Sequence, residues 1–365
     1  MTEALYAKVY EALRARITDG VWSEGDRLPS QESLGAEFAV SPITVNRALD
    51  LLRDDGYVTR RPRIGTVVAS RASTQRERAA SLPLIAYVLP GFDDAFGTWL
   101  LNGLLHSATK RARVVVTNSR GDTRLEEDLI EEQIEHGIDG LILQPSSSRF
   151  IPPAVATLIG RRFPIVIVDR TLPGTPVSTV TSDNVNGGRL AAEHLFELGH
   201  TQLALVTSAN PVSTLDARRR GVVDAHAARH VRLAPEHVLT EVGPIVPGSP
   251  VASGGDIERI ATFLNDHPEV TGCVTSEYGI ALVVLHAAKR AGRSIPEDLS
   301  VVSFDAPAGF DEAAVPLTHI EQDQHTIGGR AFTLLQQQLQ EPSSVAQETV
   351  PVRLVKGASS GPAPS

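Results

Sequence analysis

The sequence predicts an α/β protein in two parts: an N-terminal helix-turn-helix with a small β wing, and a two-lobed domain of parallel sheets flanked by helices. Three observations predict it. A serine-proline pair ends one helical pattern near the N-terminus and starts another. Apolar strands alternate with helical stretches along most of the remaining chain, and that alternation runs through two series of similar size. With 365 residues, 42% of them hydrophobic, the chain can build two or more globular units and a large core.

Leu5, Val9, Leu13 and Ile17 recur at helical spacing and predict a first amphipathic helix that stops at Gly20. Ser30, after the Leu28-Pro29 stop, is placed to cap a short second helix carrying Leu34 and Phe38. In VSPITVNRALDLL, Pro42 suits the first helical position, where its missing N–H has no helical partner to lose, and Ser41 becomes the N-cap. Val45, Ala48, Leu49 and Leu52 form the buried stripe of this third helix, with Thr44, Asn46, Arg47 and Asp50 opposite. The pair suggests a helix-turn-helix, although an αα corner in any helical domain fits the same residues. Two β-type runs, Tyr57 to Thr59 and Thr66 to Val68, then flank a turn and predict a hairpin wing. From Tyr57 to Arg78 six arginines (Arg60, Arg61, Arg63, Arg71, Arg76, Arg78) face one acid, Glu77, in a chain of net charge -9. Such a local concentration suits a phosphate-backbone partner; a solvated hairpin and linker also accounts for it.

Residues 5 to 69, with LPSQESL, VSPITVNRALDLL, DDGYV and IGTVV in order, resemble the winged helix-turn-helix of the GntR family of bacterial transcription regulators. The resemblance implies double-stranded DNA as a partner. It places Ser30, Ser41 and Thr44 against DNA backbone or bases, Ile43, Asn46 and Arg47 on the reading helix, and Arg61 and Arg63 in a wing that enters or flanks the minor groove. Glu32, Pro42 and Asn46 stand where the family usually has arginine, which implies a different operator. An asparagine can pair bidentately with adenine.

ASRASTQRERAASLP has no apolar periodicity and predicts a linker over 70–82. Beyond it, LIAYVLP, RVVVTNS, GIDGLILQP and PIVIVDR alternate with helical stretches near 96–111, 125–136 and 152–162. A second series follows: helix 186–198, LALVTSA, helix 215–230, VLTEVG, helix 257–266, GCVTS, helix 279–291 and LSVVSFD. Continuous apolar strands indicate parallel sheets covered on both faces, and two series imply two lobes with a cleft at the carboxyl ends of the strands. Those ends supply Pro90 to Asp94, Asn118-Ser119, Gln144, Asp169-Arg170, Ser276-Glu277-Tyr278 and Asp305, groups able to hydrogen-bond several hydroxyls at once.

No phosphate-binding loop, nucleophile elbow or H-E-x-x-H pair is present, so no enzyme, cofactor or metal site is expected. His226 and His230 are read as surface histidines, His194 and His200 as helix-end packing, and Gly187-Gly188 as weak support for a nucleotide. Cys273 in GCVTS is read as packed core. No apolar run approaches a membrane span and the N-terminus is unlike a signal peptide, which predicts a cytoplasmic protein. GPIVPGSPVASGGD, 243–256, has the composition of a flexible loop near the cleft mouth, and GASSGPAPS, 357–365, that of a disordered tail.

Residues 83 to 356 resemble the effector domain of the LacI family, itself similar to periplasmic sugar-binding proteins, through PIVIVDR, STVTSDNVNGGRLAAEHLFELGHTQLALV, IPEDLSVVSFD and PLTHIEQD. The resemblance implies a periplasmic binding protein type I-like fold. It makes Asp94 and Phe96 a first ligand loop, with Asp169, Arg170, Arg218, Asp305 and Gln322 as further ligand contacts. Glu277-Tyr278 replaces the family's usual Asn-Asp, so the hydroxyl pattern recognised there must differ. A GntR-like reader joined to a LacI-like sensor resembles arabinose-repressor-type regulators. It implies a homodimeric, ligand-responsive repressor on a pseudo-palindromic operator, with a sugar or related small polar metabolite as effector. A solute-binding protein of a transport system, an enzyme, or a transcriptional activator are the alternatives.

Overall fold

A computed structural model of the chain describes residues 5–61, 65–69, 82–243, 246–248, 254–307 and 316–364, without the side chains of Asp54 and Arg61. Most of the expected linker at 70–82 and the wing residue Arg63 therefore lie outside the described residues. The chain divides into two compact units after Pro83.

The first unit contains α1 (Leu5–Thr18), α2 (Gln31–Phe38), α3 (Pro42–Asp54), β1 (Val58–Arg61) and β2 (Gly65–Val68). Ser30 Oγ accepts from Ser33 N at 3.1 Å and Ser41 Oγ from Thr44 N at 3.3 Å, so each serine satisfies an otherwise unpaired first-turn amide. Pro42 is the first helical residue of α3. Val45, Ala48, Leu49 and Leu52 are buried with Val9, Leu13 and Leu34 in one core; each fully buried Val or Leu stabilises by about 1.5–3 kcal/mol. Leu5 departs from the expected stripe: it starts α1 and is 61% exposed, because that core begins one turn further on, at Val9. β1 and β2 pair antiparallel from Val58↔Val68 to Arg61↔Gly65.

The second unit has two lobes. Lobe one contains β3 (Leu84–Leu89), α4 (Thr98–Ala108), β4 (Arg113–Asn118), α5 (Thr123–Glu135), β5 (Gly140–Leu143), α6 (Pro153–Gly160), β6 (Ile165–Val168) and β7 (Ser178–Ser182). The chain crosses at Asp183 into lobe two: α7 (Asn184–Glu197), β8 (Leu203–Ser208), α8 (Ser213–Ala228), β9 (Val238–Val242), α9 (Gly254–Asp266), β10 (Gly272–Thr275), α10 (Tyr278–Arg290), β11 (Ser300–Phe304) and β12 (Thr318–Gln322). It returns at Asp323 through α11 (Gln324–Gln340) and β13 (Gln347–Val350), then crosses at Pro351 to β14 (Val352–Val355). The sheet orders, β13-β7-β6-β5-β3-β4 and β14-β12-β11-β10-β8-β9, are equivalent position by position. Among the described strands of the two sheets only the β12–β14 pair is antiparallel. The crossing strands β7 (STVTS) and β12 (THIEQ) are too polar to stand out as apolar runs, although four of five residues in β7 are buried.

Gly187 and Gly188 serve packing. A Cβ on Gly187 would meet the Phe304 ring at 2.8 Å, and one on Gly188 would run into the carbonyl oxygen of Arg218 on α8. His226 corrects the surface reading: it is buried, donates through Nδ1 to Val222 O at 2.8 Å, and packs edge-on against Phe196. His194 and His200 are also buried.

The tail expected to be disordered is ordered through residue 364. Ser359 is fully buried; its Oγ accepts from Thr318 N at 2.9 Å and donates to Val301 O at 2.7 Å. His194 Nε2 lies 2.9 Å from Ser360 Oγ, and His200 Nε2 lies 3.1 Å from Gly361 O. At Gly357 the backbone of Pro316 and Leu317 is too close for any side chain, and the tail carries none of the apolar periodicity that would have signalled order.

Candidate functional site

The candidate reading face of the first unit lies on α3. Ile43 is 80% exposed at its start, beside exposed Ser41 and half-buried Thr44, whose hydroxyl lies 2.9 Å from Ser41 Oγ. An exposed isoleucine cannot be explained by the core, and apolar contact with a thymine methyl is one use for it. Arg47 is exposed but stacks 4.5 Å over the Tyr6 ring. Asn46 is half-buried, and its Oδ1 accepts from Gln31 Nε2 and, at 2.9 Å, from Arg60 Nη2. Bidentate pairing of Asn46 with adenine therefore requires at least one of the two donors to release Oδ1.

The strand ends of the second unit bring Asp169, Arg170, Glu277, Asp305 and Gln322 together from both lobes, with Arg218 reaching in from α8. Asp169 and Asp305 follow β6 and β11, the equivalent strands of the two sheets, and both have left-handed backbone (φ 64 and 59). Strain of this kind in non-glycine residues clusters at functional positions. Each aspartate is buried and held by a glutamine: Gln144 Nε2 donates to Asp169 Oδ2 at 3.0 Å, and Gln322 Nε2 to Asp305 Oδ2 at 2.6 Å. Arg170, also buried, bonds Pro145 O and lies 3.6 Å through Nε from Asp169 Oδ2. Buried Arg218 donates to Asn184 Oδ1 at 2.8 Å and Ser276 O at 2.5 Å, with its guanidinium 4.0 Å over the Phe304 ring.

Arg170 interacts across the cleft with Glu277 and within lobe one with Asp169 and Glu126, while Arg218 interacts within lobe two with Glu277 and Asp305. Burial pushes the Asp305 carboxyl up to about 7 against the opposing pull of Arg218 and Gln322. Burial likewise raises Glu277, opposed by Arg218, and Glu126, opposed by its bonds to Ser146. Gln144 Oε1, Asp169 Oδ1, Ser276 Oγ, Glu277 Oε2 and Gln322 Oε1 are buried atoms without a protein hydrogen-bond partner.

Other expected contacts are placed differently. Asp94 is exposed, and Phe96 leans on the lobe-one core. Asp93 is the structured acid of that loop: Oδ1 accepts from Ala95 N (2.9 Å) and Phe96 N (2.8 Å), and its charge reaches Asp305. The turn folds Asp93 back onto its own amides and leaves Asp94 outward. Gln324 anchors the same loop, accepting from Gly97 N at 2.9 Å and donating to Ala95 O at 2.8 Å. Tyr278, half-buried, opens α10 and lines a cavity of about 1100 Å³ beside the crossings, together with Trp99, Leu282, Asp305, Gln322 and His325 among the described residues. This cavity shares only part of its wall with the polar cluster, through Asp305, Gln322 and Tyr278 beside Glu277.

Residues 246–248 follow β9 in lobe two yet lie against lobe one. Gly248 N donates to Asp93 Oδ2 at 3.2 Å; a Cβ on Gly121 would meet Val246 Cγ2 at 2.8 Å, and one on Gly248 would meet Phe92 O at 2.7 Å. The expected loop ends earlier than its composition suggested, since Gly254 to Asp256 belong to α9; residues 244–245 and 249–253 lie outside the described residues.

A family model described as bacterial regulatory proteins, gntR family, matches residues 5–68, and one described as a periplasmic binding protein-like domain matches 192–360. The chain joins a gntR-family helix-turn-helix domain to a periplasmic-binding-protein-like domain. The arabinose metabolism transcriptional repressor of Geobacillus stearothermophilus is 23% identical over 93% of this chain and 92% of the relative. The ribose operon repressor of Bacillus subtilis is 26% identical over 81% of this chain and 87% of the relative. The gntR–binding-protein chain is thus homologous to named sugar-operon repressors. Its fold matches a LacI family transcriptional regulator from Enterococcus faecium with bound ribose (TM-score 0.63, 24% identity, 76% of this chain, 99% of that one). It also matches a transcriptional regulator CelR-cellobiose complex (TM-score 0.65, 20% identity, 91% of this chain, 100% of that one).

Nothing in the sequence marked Glu126 or Asn184 as part of the cleft. Glu126 lies in the acidic helix pattern TRLEEDLIEEQIE, and only the fold shows it buried, accepting from Ser146 N and Oγ at 2.7 and 2.6 Å. Asn184 had one usable signal, its place directly after the Asp183 helix cap at a crossing.

Proposed function

We propose that the chain is a cytoplasmic transcription repressor, without catalytic activity, that binds a pseudo-palindromic operator as a homodimer and responds to a sugar or related polyhydroxy metabolite held between its lobes. The observation that carries the ligand class is the set of buried strand-end atoms without protein partners, flanked by Arg170 and Arg218. Ring hydroxyls, each donor and acceptor, suit such a mixed set, because buried carboxylate and amide oxygens left unpaired are costly. Asp169, Arg170, Arg218, Glu277, Asp305 and Gln322 are the proposed ligand contacts, with Asp93 in the place expected for Asp94. The proposed DNA contacts are Ser30, Ser41, Ile43, Thr44, Asn46 and Arg47, with Arg61 and Arg63 of the wing. Residues 246–248, reaching from lobe two to the loop at 91–93, act as a strap over the ligand.

The test is fluorescence anisotropy on labelled DNA from upstream of the chain's own gene, with random competitor and a sugar panel. Binding that survives competition and changes with one sugar is expected; an operator that no sugar affects removes the effector reading. Arg61→Ala is expected to weaken binding to all DNA and lower the salt slope by about 1, and Asn46→Ala to relax preference at one base pair. Equal losses on operator and random DNA for both variants overturn that division.

A further inference from the structure

We propose that His237, His267 and Glu269 form a binding site for a divalent transition metal of the zinc type on lobe two. His237 precedes β9, and His267 and Glu269 precede β10, so the site lies at the amino ends of parallel strands, opposite the ligand cleft. Both histidines converge on one carboxylate oxygen: His237 Nε2 lies 3.3 Å and His267 Nδ1 3.1 Å from Glu269 Oε1. One ligand atom from each residue lies within 4.8 Å of the other two. Zinc bonds to imidazole nitrogen and carboxylate oxygen of about 2.0–2.2 Å place tetrahedral ligands about 3.3 Å apart, so two of the three spacings already fit.

The ligands are also held from behind. His237 is buried, its ring packed edge-on against His267 (5.1 Å between centroids) and Phe263 (6.3 Å). His267 stacks tilted on Phe263 at 4.7 Å, and its carbonyl accepts from Arg293 Nη2 at 3.1 Å and Val270 N at 3.1 Å. Arg293 also bonds Leu264 O and Val270 O, so one guanidinium shapes the whole α9–β10 turn. Glu269 is half-exposed, leaving the remaining coordination positions to water, and imidazole with carboxylate suits zinc, copper or nickel. A bound ion would tie the start of β9 to the α9–β10 turn.

The full chain, stripped with a chelator, is titrated with zinc chloride by calorimetry and melted with and without zinc. One zinc per chain at this site and a raised melting temperature are expected. His267→Asn and Glu269→Gln, both at partly exposed positions, are expected to lower the stoichiometry by one or weaken that site by more than the roughly 10–100-fold that loss of an outer-shell partner costs. Unliganded melting curves matching the parent show that the variants fold. No uptake by the parent chain, or uptake unchanged in both folded variants, overturns the site and leaves a carboxylate hydrogen-bonded to two histidines.

Discussion

Arg218 is the cleft residue whose removal leaves most behind. Its loss strips a donor from Asn184 Oδ1 and from Ser276 O, uncovers Phe304, and removes a positive charge that opposes protonation of Glu277 and Asp305. Arg218→Met keeps the apolar length of the side chain and removes only donors and charge. The expected destabilisation is about 1–3 kcal/mol for each buried acceptor left unpaired, read by urea unfolding near neutral pH. It should shrink at acid pH, where burial already favours the protonated form of both carboxyls; an equal loss at acid and alkaline pH contradicts this. Asp305 makes a second prediction with a definite sign. Its folded pKa, about 7, lies above the ordinary carboxylate value, so between the two the unfolded chain has released a proton that the folded chain keeps. Stability contributed by this group therefore falls as pH rises from about 4 to about 7, and Asp305→Asn should flatten that part of the stability profile. A variant profile parallel to the parent's would assign the dependence to other groups.

At the scale of elements, the α7–α8 crossing is the tightest contact in lobe two, since a Cβ on Gly188 or Gly221 would overlap the backbone of the facing helix. Gly221→Ala cannot be absorbed by a side-chain rotation, so lobe two should lose cooperative unfolding while the gntR-type domain keeps its own transition, as seen by calorimetry. Ser41→Ala, by contrast, removes only a cap and should cost about 1 kcal/mol in the first unit. Gly248→Ala tests the strap: its φ of +79 and the close Phe92 carbonyl disfavour a side chain, so sugar should dissociate faster in stopped-flow than from the parent. The helix-turn-helix and the apolar strands were legible because their signals are local: caps, a first-position proline, unbroken β-branched runs. β7, β12 and the tail were not, because their polar residues are satisfied by backbone distant in sequence, as Ser359 is by Thr318 and Val301. Arg218, inside α8, was legible only through the LacI-family resemblance, whereas the cleft was legible where strand ends carry charge, in Asp169-Arg170, Glu277 and Asp305. It was illegible where burial alone distinguishes one acid among many, as for Glu126, or where a turn decides between neighbours, as for Asp93 and Asp94.

At the scale of the molecule, the proposed ligand contacts are divided between lobes that meet through three crossings, at Asp183, Asp323 and Pro351. A sugar held by Asp169 and Arg170 on one side and by Arg218, Glu277 and Asp305 on the other must favour the lobe arrangement that satisfies both sets, and its leverage over DNA binding cannot exceed that preference. Reciprocity then follows. If sugar changes operator affinity by some factor, operator must change sugar affinity by the same factor, and couplings of this kind are typically about 5–150-fold. Both sides are measurable on one preparation at one salt concentration: operator affinity by anisotropy with and without saturating sugar, and sugar affinity by calorimetry with and without operator. Equal factors are expected, and Arg218→Met should abolish both together while leaving operator affinity in the absence of sugar close to the parent value. Unequal factors at fixed protein concentration would mean that a third equilibrium is linked to the other two. Pairing of the two copies is the first to examine, since it makes apparent affinities depend on protein concentration.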